Sequence, residues 1–102
     1  MIVTGQDIVD AIRKNGYRQA HDGQWIVYDD DMRVIKACAM GQAVLNLGLD
    51  LDDFKFHMSP AISSFIMDQN DTRKRSCKTI AKLIEIEFPW FLNKEFSISQ
   101  RY

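Results

Sequence analysis

The chain has 102 residues, 46% of them hydrophobic and 26% charged, with a formal net charge of -1 at pH 7. That length holds one domain, residues 1–102, with a core of its own, so folding requires neither a metal nor a disulfide staple. Near-neutral charge excludes a strongly basic, dedicated duplex-DNA binder, although it leaves room for a local basic patch.

Cys38 and Cys77 stand far apart and outside any CxxC pair. This spacing fits free thiols in a reducing compartment. Met1 to Gly5 show no basic run followed by an apolar one, and no stretch reaches the length of a membrane span. The expected setting is therefore the cytoplasm, with no membrane partner.

In chain order, Thr4 and Asp7 form a capping-box pair that opens a first helix, with Ile8, Val9 and Ile12 at helical spacing. Asn15-Gly16 stops it, Gly16 being the residue suited to positive φ. Trp25 to Tyr28 and Arg33 to Ile35 predict two strands joined by the acidic turn Asp29-Asp30-Asp31, and Tyr17 to His21 is a candidate third strand. A second helix spans about Ala37 to Leu47 and stops at Gly48. It is apolar almost all round, with only Gln42 and Asn46 as a polar stripe, so it is the expected core helix. Its small residues Ala39, Gly41 and Ala43 permit close approach of neighbours.

Asp50 to Phe54 predicts a turn or short helix. Ser59-Pro60 reads as N-cap and first residue of a third helix carrying Ile62, Phe65 and Ile66, with Asn70 as its C-cap. A last long helix runs from about Ser76 to Phe88, with Cys77, Ile80, Ala81, Ile84 and Phe88 inward and Pro89 ending it. Trp90, Phe91, Leu92 and Phe96 follow as an apolar cluster that closes the core. The expected fold class is α+β: a mainly helical single domain with a short antiparallel hairpin.

Several residues have the chemistry for a site. Cys38, near a helix start, with His57 and Asn70 or Asp71 after it, has the residue order of a cysteine hydrolase. The competing reading is a small buried cysteine among Ala37, Ala39 and Met40, and it is the favoured one. Cys38, Cys77, His21 and His57 lack the close ligand pairs of structural zinc, so no metal or other cofactor is expected. Arg73, Lys74 and Arg75, continued by Lys78 and Lys82 one helical turn apart, are suited to a phosphate or an acidic partner, or simply to solvent. The core helix lacks a local N-cap at Ile35, Lys36 or Ala37, yet its first amides need acceptors. Asn70 and Asp71 are the expected suppliers, with Asp30 or Asp31 behind them.

Trp25, the acidic turn, Cys38-Ala39-Met40-Gly41 and Asn70-Asp71-Thr72 together resemble a small domain family of unknown function from bacterial and phage genomes. The likeness covers about Trp25 to Glu87. Gln42 stands where that family has a small residue, and the glycine before the cysteine is missing. The resemblance brings no established activity and implies a phage or mobile-element origin. With the small size, the lack of a strong catalytic motif and the segregated acidic and basic clusters, the expectation is a non-enzymatic protein that binds and inhibits a host protein, such as a defence nuclease complex, without reading DNA sequence. The expected partner-binding residues are Asp29, Asp30, Asp31, Asp50, Asp52 and Asp53, with Arg73, Lys74 and Arg75. A Cys38/His57 hydrolase and a phosphate- or nucleic-acid-binding module built on the Arg73–Lys78 cluster are the alternatives.

Overall fold

The computed structural model describes residues 1–101. Its chain order is β1 (Ile2–Thr4), α1 (Gly5–Lys14), β2 (Ile26–Tyr28), β3 (Val34–Ala37), α2 (Ala39–Leu47), α3 (Leu51–His57), α4 (Pro60–Met67), a π-helical turn (Asp68–Thr72), α5 (Cys77–Glu87), α6 (Pro89–Leu92) and β4 (Glu95–Ser97). Two small antiparallel sheets accompany the helices, β1 with β4 and β2 with β3. This is the expected α+β domain. Among the described residues no helix is long and apolar enough to cross a membrane.

Local chemistry sets the helix starts. The Thr4 hydroxyl accepts from the Asp7 amide and the Asp7 carboxylate accepts from the Thr4 amide, the reciprocal capping box expected for α1. Asp50, Ser59 and Ser76 cap α3, α4 and α5 in the same manner, each accepting from the amide three residues on. Asp50 to Phe54 is therefore the front of a true helix. At the far end of α1 the left-handed residue is Asn15, with φ 45°, and not Gly16. Asparagine tolerates that conformation.

Helix α2 is the central element, in contact with α1, α3, α4 and β3. Ala39, Met40, Ala43 and Val44 are buried in the main core, Leu45 is also buried, and Leu47 is half-buried at its edge. The two polar residues of α2 are tied to backbone. Gln42 is fully buried; its Oε1 accepts from the Tyr17 amide, and its Nε2 donates to the carbonyls of Tyr17 (2.7 Å) and Ala37 (3.2 Å). Asn46 donates to the Ala11 carbonyl at 2.8 Å. These bonds bind the connection after α1 to the core helix and satisfy amides that burial would otherwise orphan.

Two further sequence expectations are corrected and one is borne out and extended. Tyr17 to His21 is not a strand: only Gln19 forms a bridge, with Ala37. Pro89 does stop α5, but it also opens α6, because proline suits the first turn of a helix. The apolar C-terminal cluster divides, Phe91 and Phe96 being buried while Trp90 is 53% exposed.

Candidate functional site

The core helix receives part of its cap from a distance, beside a local one from Cys38. The Asn70 Oδ1 accepts from the Ala39 amide at 3.0 Å and from Gln19 Nε2 at 2.9 Å. Its Nδ2 donates to the Ala20 carbonyl and to Asp71 Oδ1, both at 2.7 Å. Asn70 is fully buried and is not the C-cap of α4, which runs on into the π-helical turn. Asp71 supports Asn70 without reaching α2 itself. Gln19 completes the network, its Oε1 accepting from the Cys77 amide and its Nε2 donating also to the Arg75 carbonyl. The expectation that Asn70 serves architecture is met, and neither Asp30 nor Asp31 takes part.

Cys38 is the local N-cap of α2, its Sγ accepting from the Gly41 amide at 3.5 Å. Burial pushes its thiol up to about 11, against the pull of the Gly41 amide. Cys77 is also buried and free, and burial, with a further contribution from Cys38, pushes it up to about 12. These are the opposite of the shifts that activate a nucleophile. His57 faces Asp53 at 3.6 Å and stacks edge-on against Phe56. Among the described residues no hydrogen bond joins it to Cys38.

Two results are expected from the thiols. A maleimide reagent at neutral pH should label native protein far more slowly than urea-unfolded protein, as mass spectrometry would read. Both folded-state values lie above the unfolded value near 9, so the native state holds more protons above that pH. The thiols' contribution to stability is complete below pH 9 and is lost as pH rises through about 11 to 12. Alkaline denaturation should flatten in the Cys38→Ala/Cys77→Ala variant.

The acidic residues separate by role. Asp29 builds the hairpin turn: its Oδ1 accepts from the amides of Asp31 and Arg33, both at 2.9 Å. Asp50 caps α3. Asp53 accepts from the Ser99 amide at 2.7 Å, and that bond, with His57 beside it, holds its carboxyl below the usual range. Asp30, Asp31 and Asp52 are exposed and without an ion pair among the described residues. Of the basic residues, Arg73 pairs with Asp68 at 3.1 Å, and the Lys74 Nζ reaches the His21 and Asp71 carbonyls. The Arg75 side chain is exposed.

No protein-family model, curated protein or solved structure matches this chain.

The hairpin tip adds a residue that the sequence reading passed over. Met32 is 72% exposed and sits in the left-handed region with φ 63°. Its amide donates to the Asp29 carbonyl and the Asp29 amide donates to the Arg33 carbonyl, so the turn is closed at both ends. Tyr28 and Ile35 are exposed on the strands below it. The available signal was position: Met32 occupies the place in the turn where Gly or Asn is favoured. On α3, Phe56 is 83% exposed. Lys55 of the same helix lies 4.7 Å over the Trp25 ring, which precedes β2.

Proposed function

We propose that this protein is a non-enzymatic, stoichiometric binder that presents its β2–β3 hairpin tip to a partner protein. The observation that carries this reading is Met32. A non-glycine residue held at positive φ costs about 1–2 kcal/mol, and here it is a large apolar side chain in solvent. The backbone geometry closes the turn, but the exposed Met32 side chain adds nothing to the core, whereas it can anchor in a partner's apolar pocket. Asp30 and Asp31 flank the anchor with unpaired charge, and Asp29 fixes the turn so that little ordering remains to be done on binding.

The complementary surface is an apolar pocket rimmed by basic residues. Nucleic-acid-handling enzymes have such basic grooves, and the charge would speed capture and orient docking. This chemistry supports an inhibitor of a host nucleic-acid-handling complex, and the family resemblance supports a phage or mobile-element origin for it.

Met32→Gly tests the reading because stability and binding should move apart. The melting temperature should hold or rise, by an amount equivalent to at most about 1 kcal/mol. Capture of the partner from host extract, followed by surface-plasmon measurement on the purified partner, should show faster dissociation. Asp30→Lys/Asp31→Lys should instead slow association, with folding unchanged. Wild-type binding kinetics in both variants would remove the hairpin from the interface.

A further inference from the structure

A second surface is charged with the opposite sign. Arg18, Lys74, Arg75 and Lys78 are all exposed, and among the described residues none has a carboxylate partner. They come from two segments distant in sequence that the fold joins. Gln19 is the clasp: its side chain bonds both the Arg75 carbonyl and the Cys77 amide, which ties the segment that carries Arg18 to the start of α5. Lys74 reaches across to the His21 carbonyl from the other side.

The acids in this region each already have a partner. Asp68 is occupied by Arg73, Asp22 by Lys36, and the Asp71 carboxylate accepts from the buried Asn70. The first turn of α5 contains no acidic residue and does contain Lys78. Cations gathered without counter-charge at the positive end of a helix repel one another and the helix dipole. A polyanion laid across them relieves that repulsion.

We infer that Arg18, Lys74, Arg75 and Lys78 form a surface for the phosphodiester backbone of a nucleic acid, separate from the hairpin tip and independent of the partner proposed for it. The four side chains are long, flexible and exposed, with no fitted pocket between them. That suits contact with successive phosphates and carries no reading of base sequence.

The test is fluorescence anisotropy of the full chain with fluorescein-labelled DNA, as a mixed-sequence duplex and as the corresponding single strand. Four phosphate contacts to duplex predict that affinity falls by about 150-fold between about 50 and 200 mM salt, and by about 50-fold for single strand. The arm that binds more tightly at about 50 mM salt identifies the preferred form. Arg75→Gln/Lys78→Gln should bind more weakly and reduce the duplex loss to about 12-fold, since two contacts are gone. Lys94→Gln/Arg101→Gln removes the same charge from elsewhere on the surface and should leave both slopes unchanged. No measurable binding to either DNA at about 50 mM salt, against the micromolar to 0.1 mM range of non-specific contacts, would overturn the inference. An equal loss in both double variants would overturn the assignment to these residues.

Discussion

Replacing Asn70 with alanine is expected to destabilise the domain by about 3–5 kcal/mol. The side chain makes four hydrogen bonds, to Gln19, Ala20, Ala39 and its neighbour Asp71, and it is fully buried. Truncation leaves the Ala39 amide without its acceptor at the start of the core helix and the Ala20 carbonyl without its donor. The site is buried in the intact protein, so each orphaned group carries a desolvation cost. At about 4–8 °C per kcal/mol for a domain of this size, thermal melting should drop by roughly 12 °C or more. Asp71→Ala, which removes only the support for Asn70, should cost about 1 kcal/mol. A melting temperature for Asn70→Ala within about 3 °C of the wild type would show that α2 is capped by Cys38 alone.

Gly41→Ala should be comparably severe, although the same change within an ordinary exposed helix stabilises by about 1 kcal/mol. Gly41 lies in α2 directly against the backbone of Trp25. An added Cβ would press into the Trp25 carbonyl oxygen, 2.9 Å from its carbon and 3.1 Å from the Ala37 Cβ. That carbonyl cannot easily retreat, because it accepts from the Cys38 amide at 3.0 Å and so joins the hairpin to the helix start. The expected loss is about 3 kcal/mol or more, seen as a lower urea midpoint. Gly16→Ala is the matched control: its Cβ would meet only the flexible Asn46 side chain, at 3.2 Å. Equal urea midpoints for the two variants would mean that the Trp25 backbone yields.

These two sites show what was legible in the sequence. The amphipathic helices, the caps at Thr4 and Ser59 and the aromatic hairpin are local signals, and they are found where the residues place them. The need for a distant cap on α2 was also readable, because three residues without a side-chain acceptor precede Cys38 and Asn70 is a strong capping residue. The β1–β4 sheet was not. Its strands have three residues each and pair Ile2 with Ser97 and Thr4 with Glu95, across nearly the whole chain. Alternation over three residues carries almost no signal, and pairing between chain ends has no local trace. The use of the aspartates was equally hidden. Composition marks Asp29, Asp50 and Asp53 as charge, whereas their carboxylates fold turns and caps, and only geometry separates them from Asp30, Asp31 and Asp52.

The proposed mode of action rests on occupancy of a partner and not on turnover. Its most direct test is titration of the purified partner's activity with the wild-type protein, at partner concentrations well above the dissociation constant. The predicted curve falls linearly and saturates at a fixed molar ratio, and Met32→Gly shifts or flattens it. Full effect at far below one equivalent of partner would contradict the account and return the search to a catalytic site.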